Sequence, residues 1–192
     1  MRINFSVRDG RFFLGLLLTS YFACFLAPEA GHCAVPKNAV VPMGSKLKLV
    51  SGKGVGTLGQ TVEKFDVTII QFWASWCVGC GEMMAELAKR SKQDTSIGYA
   101  SVSIDEDIAT AQRYFKAKSD EIKAAIPNAL LDEAGEKIAT PLKITTLPYV
   151  IVVSRDGKIR ETVAGHPKPQ DLAAMIQRVK SQVSTKPTVK TP

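Results

Sequence analysis

Eight residues, Trp73-Ala74-Ser75-Trp76-Cys77-Val78-Gly79-Cys80, constrain this chain more than any other stretch. They complete the run Val67-Thr68-Ile69-Ile70-Gln71-Phe72-Trp73-Ala74, which is β-rich and apolar at both odd and even positions. That is the pattern of a strand buried on both faces. Beyond them Met83, Met84, Leu87 and Ala88 fall at helical spacing, so a helix is expected from Cys77 to about Lys92. The two cysteines therefore stand at a strand-to-helix junction. A helix N-terminus carries partial positive charge and unsatisfied N–H groups, which stabilise the thiolate of the first cysteine. The second cysteine lies about one turn on, within bonding reach of the first and more buried.

A magnitude shows what this placement does. If the Cys77 pKa falls from roughly 8.5 to roughly 7, the thiolate fraction at neutral pH rises from about 3% to about 50%. Intrinsic nucleophilicity drops with a Brønsted slope near 0.4–0.5, returning a factor of about 5. The net gain in attack rate is about threefold. A better leaving group and an intramolecular resolving thiol at Cys80 are the larger gains, and they suit reversible two-electron exchange. Other uses of the pair fit less well. A structural disulfide in so short a loop constrains the unfolded chain little. Zinc takes about four ligands, and only His166 remains in the folded part to join the two cysteines. A peroxide-reducing cysteine would be expected to follow a Thr by three residues, where Ala74 stands.

The chain has 192 residues, of which 45% are hydrophobic and 22% charged, enough to build one core without structural disulfides. The formal net charge of +7 belongs mostly to residues after Ala34. Its Lys and Arg are spread rather than clustered with aromatics on one face, which argues against nucleic-acid binding and for a solubilising surface. At the N-terminus, Arg2, Arg8 and Arg11 precede an apolar run from Phe12 to Ala27 that Pro28 and Glu29 stop, the pattern of an export segment. Sixteen helical residues span about 24 Å, less than a hydrocarbon core of about 30 Å, so cleavage is favoured over a stable anchor. Small residues for cleavage are poorly placed, and an uncleaved anchor stays open. Either way the remainder is expected outside the cytoplasm, where Cys77 and Cys80 can form a disulfide. Cys24 and Cys33 lack the small-residue lead-in of a lipidation site.

Residues 1–34 therefore read as signal or anchor, 35–45 as linker, 46–183 as an α/β domain, and 184–192 as a disordered tail rich in Lys, Thr and Pro. Within the domain, strands are expected at Lys46–Val50, Val67–Ala74, Ile97–Ile104, Ala129–Leu131 and Pro148–Val153. The last continues through an Asp156-Gly157 turn into Lys158–Ala164. Gly52 to Gly59 reads as loop. Helices are expected from Asp107 to Lys118, with Ile126 as the furthest extent before the break at Pro127, from Glu133 to Leu142, and from Gln170 to about Val183. This order makes a mixed central sheet flanked by helices.

FWASWCVGC resembles the active-site segment of thioredoxin-like proteins, and with the export segment the chain most resembles the TlpA/ResA/CcmG group of membrane-facing thiol reductases. Ile144-Thr145-Thr146-Leu147-Pro148 resembles the loop that presents that family's cis-proline opposite the cysteines. Asp156-Gly157-Lys158-Ile159 resembles the hairpin turn after it, and Gly165 the glycine that closes the site. The resemblance covers roughly Leu47 to Val183. It implies a thioredoxin fold and a thiol:disulfide oxidoreductase in which Cys77 attacks and Cys80 resolves. Trp76, Val78, Gly79, Leu147, Pro148 and Gly165 would contact substrate, and Trp73 would belong to the core. No metal or cofactor is implied. The implied partners are protein disulfides or dithiols and a membrane-bound electron donor; apocytochrome thiols, an oxidase assembly factor and a secretion component all fit.

The chain departs from the family at several positions. Gln71 stands where thioredoxins carry a buried acid, and an amide cannot accept the Cys80 proton. Ala85 replaces a helix-kinking proline. Met83 replaces a helix glutamate, with Glu82 one position early. The inner pair Val78-Gly79 offers no imidazolium to the thiolate, which favours a reductant over an oxidant. A binding adaptor without turnover is the reading from another class.

Overall fold

Seven strands form one mixed sheet in the computed structural model, which describes Val35 and residues 38–184. The expected export segment, Cys24, His32, Cys33 and the expected tail from residue 185 lie outside the described residues. In chain order the elements begin with β1 (Leu47–Leu49), β2 (Val55–Gly56), α1 (Gly59–Val62), β3 (Val67–Trp73), α2 (Cys80–Gln93) and β4 (Ile97–Ser103). They continue with α3 (Ile108–Lys116), α4 (Asp120–Ala125), β5 (Leu130–Leu131), a single 3-10 turn (Glu133–Gly135), β6 (Tyr149–Ser154), β7 (Ile159–Ala164) and α5 (Pro169–Ser184). The sheet order is β2-β1-β5-β4-β3-β6-β7.

β3 is an interior strand, and all seven of its residues are buried, as its two-sided apolar pattern predicts. Its neighbours differ in direction: β4 runs parallel, pairing Val67 with Ile97 through Trp73 with Ser103, and β6 runs antiparallel, pairing Phe72 with Tyr149. Alternation along the strands separates two cores. Val67, Ile69 and Trp73 join Ile97, Tyr99, Val150 and Val152 beneath α2 to α5. Ile70 and Phe72 join Val102, Ile151 and Val153 on the other face, covered by α1 and by Ile138, Leu142 and Ile144.

Four boundaries differ from the sequence reading. The stretch expected as linker is packed onto the domain: Val35 and Val41 are buried, and Asn38 and Val41 donate backbone hydrogen bonds to Ile159 and Gly157. Apolar side chains at those positions outweigh the local Pro and Gly. The expected loop Gly52–Gly59 contains the short strand β2, which pairs with β1. The helical stretch after Asp107 breaks in two, because Ser119 takes an extended conformation and its hydroxyl caps α4 by accepting from Ile122 N–H.

The helix expected over Glu133–Leu142 shrinks to the 3-10 turn. Ala134 and Gly135 take φ of 50° and 71°, which stops helical propagation. The carboxylate of Asp132, fully buried, instead organises the segment. It accepts from Lys137 N–H at 2.8 Å, Ile138 N–H at 2.8 Å and Ala139 N–H at 2.9 Å. Three backbone donors that would otherwise lack partners are satisfied by one side chain.

Asp132→Ala is therefore expected to destabilise the domain by about 3 kcal/mol, since buried donors left unpaired cost about 1–3 kcal/mol each and part of that relaxes. Asp132→Asn keeps one acceptor oxygen and should lose less. Urea unfolding of the two variants measures the difference; equal midpoints for Asp132→Ala and wild type would refute the role.

Candidate functional site

Strand register brings three distant segments together at one end of the sheet. Phe72 pairs with Tyr149, so the residues leaving β3 and those entering β6 emerge side by side. Tyr149 also pairs with Ala164, and Gly165 N–H donates to the Pro148 carbonyl at 2.8 Å. The Leu147–Pro148 peptide bond is cis, as the resemblance implied. Cys77–Cys80, Leu147–Pro148 and Gly165–His166 thus share one rim. Trp73 lies beneath it in the core, fully buried and stacked on Tyr114 at a centroid distance of 5.2 Å.

The two cysteines form a disulfide with Cα atoms 5.6 Å apart. Cys77 retains 8% exposure and Cys80 none, which sets the order in which an outside sulfur can reach them. Trp76 and Val78 flank Cys77 with 68% and 94% exposure, an apolar surface turned to solvent. The helix does not begin at Cys77 as expected: α2 starts at Cys80. Gly79 has φ of 85°, a left-handed conformation that glycine adopts without Cβ strain, and it interrupts the helical path between the cysteines. No side chain hydrogen-bonds the N-terminus of α2, and Glu82 places a carboxylate in its first turn.

Gln71, the residue in the family's acid position, is a clamp. It is fully buried and faces α2 from β3. Its Nε2 donates to the Cys80 carbonyl at 3.0 Å, and its Oε1 accepts from the Tyr99 hydroxyl at 2.7 Å. Burial keeps the Tyr99 phenol protonated well above its ordinary range, so the donor is permanent at physiological pH. Asp105 holds the other side of the loop. Its Oδ1 accepts from Ser75 N–H at 3.0 Å and from the Ser75 hydroxyl at 2.6 Å, while Oδ2 accepts from the Ser103 hydroxyl at 2.6 Å. The loop is tied to β4 two residues before Cys77.

His166 is the residue whose placement the sequence did not disclose. It stands 86 residues after Cys80, weighed there only as a zinc ligand. A Cβ on Gly79 would lie 3.0 Å from His166 Nδ1 and 3.1 Å from its Cε1, so the ring packs directly on the inner glycine of the motif. Its Nε2 is 3.6 Å from Glu82 Oε2. An imidazole is therefore packed on the motif's inner glycine after all, supplied from the segment that Gly165 ties to Pro148. On the Gly81 side, Tyr114 and Lys118 close in, with the Lys118 ammonium 3.6 Å over the Tyr114 ring. Among the described residues no group of three or more His, Cys, Asp or Glu side chains is placed to hold a metal ion.

A family model described as a thioredoxin-like domain matches residues 58–180. The chain is 30% identical over 87 residues to a thioredoxin of Mycoplasma pneumoniae, covering 44% of this chain and 76% of that one. It is 23% identical over 136 residues to the thiol-disulfide oxidoreductase ResA of Bacillus cereus, covering 71% of this chain and 70% of that one. Among solved structures, the thioredoxin domain of a thiol-disulfide oxidoreductase from Bacteroides vulgatus superposes with a TM-score of 0.58 at 19% identity. That match covers 78% of this chain and 99% of the other.

Gln71→Glu provides a test of the clamp. A protonated acid can still donate to the Cys80 carbonyl and accept from Tyr99, whereas a carboxylate would set negative charge against that carbonyl in a buried site. The folded-state pKa should thus lie above the ordinary value of about 4.3. A raised carboxyl contributes stability that is complete below the unfolded pKa and lost as pH rises through the folded one. Compared with wild type, Gln71→Glu should match at pH 4 and lose on the order of 2 kcal/mol by pH 8, read from urea midpoints. A pH-independent difference would contradict the geometry.

Proposed function

The chain belongs to the thioredoxin-like domain family and is a thiol:disulfide oxidoreductase, and from that premise we propose that it reduces protein disulfides outside the cytoplasm. Cys77 is the attacking thiol and Cys80 the resolving one. The observation that carries this assignment is the unequal exposure of two bonded sulfurs, one reachable and one sealed, at a rim shared with the cis-proline.

In the reduced form the Cys77 thiolate attacks one sulfur of a substrate disulfide. That S–S bond breaks, one substrate sulfur leaves as thiolate, and a mixed disulfide joins Cys77 to the other. Cys80 then attacks Cys77 Sγ, the second substrate sulfur departs, and the Cys77–Cys80 bond forms. Two electrons pass to the substrate, and the proton of Cys80 ends on a departing substrate thiol, since Gln71 donates at this position and cannot take it. A membrane-bound electron donor returns the pair to the dithiol. Trp76 and Val78 offer apolar contact to the incoming chain. Gly79, Leu147, Pro148 and Gly165 form the backbone against which an extended segment lies. The basic residues and apolar run at the N-terminus support export, with membrane contact confined to that segment.

Cys80→Ser is expected to accumulate mixed disulfides with protein substrates, visible as thiol-sensitive adducts on non-reducing gels, and Cys77→Ser is expected to form none. The wild-type pair should equilibrate nearer the roughly −270 mV of thioredoxin-like reductants than the roughly −120 mV of strong oxidants. A strongly oxidising potential would reverse the assigned direction. Absence of both adducts and a redox couple would leave a binding adaptor.

A further inference from the structure

We propose that His166 sets the acidity of Cys77, with Glu82 opposing it; this inference rests on the dithiol reading above. The motif itself contains no basic residue, yet the fold delivers one. Gly165 N–H is bonded to the Pro148 carbonyl, which fixes where the next residue begins, and the His166 ring then lies against Gly79, between the two cysteines in sequence. Gly79 is the position where a side chain would collide with that ring, so the approach depends on both residues. His166 is only partly covered, with 44% side-chain exposure, and can exchange protons with solvent.

In the disulfide form the ring rests on Gly79 and Glu82. Reduction converts the neutral disulfide into a thiol pair whose more exposed member ionises. A cationic ring beside Gly79 favours that thiolate by charge. Glu82 competes for the same proton-bearing ring. The other groups at this end of α2 are Tyr114 and Lys118 on the Gly81 side, and Lys168 follows His166 by two residues. They provide a fixed background in the variants below. Stabilising the reduced form raises the reduction potential, so His166 makes the pair less strongly reducing than its inner residues alone dictate. His166 is a positioning residue in this scheme, acting through its charge and not by covalent chemistry.

The experiment uses the reduced protein, with thiolate followed by its ultraviolet absorbance from pH 5 to 9 and the potential read against glutathione. Wild type should ionise Cys77 within this range. His166→Gln should move it up by about one unit, a tenfold lower thiolate fraction at pH 6. At a pH above both thiol pKa values the one-unit shift is a tenfold change in the redox equilibrium, a potential about 30 mV more negative through the two-electron relation. Glu82→Gln should move both in the opposite direction. His166→Lys, which loses the ring packing but keeps a cation, should restore the low pKa that His166→Gln loses. If His166→Gln titrates with wild type, or if Lys fails to rescue it, the inference is overturned while a working wild-type couple leaves the dithiol reading standing. A wild type with no couple at all would overturn both.

Discussion

β3 is paired along both edges and covered on both faces, so its end is fixed by two ladders at once. Everything reactive hangs from it. Its parallel partner β4 ends at Ser103, and two residues on the Asp105 carboxylate accepts from Ser75. Its antiparallel partner β6 begins just after Pro148, and β7 returns to place Gly165 beside that proline. Because pairing fixes register residue by residue, a slip of one position would turn Gln71 away from α2 and point Phe72 at it. The chemistry of the rim is thus a consequence of ladder geometry before it is a consequence of any side chain at the rim.

The polar groups beneath the motif serve that same fixation. A chain of donors runs from the Tyr99 hydroxyl through the Gln71 amide to the Cys80 carbonyl, and a second set converges on Asp105. In a buried site each of these groups is costly alone and inexpensive when paired, so the set is either complete or disruptive. Where related proteins place an acid, this chain places an amide that can do only one of the acid's tasks. It holds the second cysteine's backbone and leaves proton movement to the sulfurs and to whatever surrounds them. That division makes the neighbours of Gly79 more consequential than they would be beside an acid.

Much of this was legible in the sequence because it is encoded locally. The two-sided apolar strand, the cysteine pair after it, the Asp156-Gly157 turn and the proline before β6 are all short patterns, and the fold and rim follow from them. What was not legible depends on partners far along the chain. The start of α2 slipped to Cys80 because Gly79 takes a left-handed φ, which glycine permits but does not announce. The segment after Asp132 lost its helix because a buried carboxylate took three of its N–H groups, a long-range satisfaction that helical propensity does not see. Residues 35–45 read as linker because Pro and Gly outweighed the spaced valines that pack onto the domain. His166 lay outside the motif by 86 residues, and only the register of β6 and β7 brings it back. A histidine immediately after the glycine that closes the site was the one available signal.

The outer borders of the sheet have a consequence of their own. β2 is two residues long, and β7 carries a bulge at Arg160, charged side chains at Arg160 and Glu161, and a strap of residues 38–41 bonded along its beginning. Neither border presents a long, flat row of free amides and carbonyls to a passing polypeptide. A protein that handles unfolded or half-folded clients runs a standing risk of being recruited into their aggregation. Blunted margins lower that risk by making indiscriminate strand addition unrewarding.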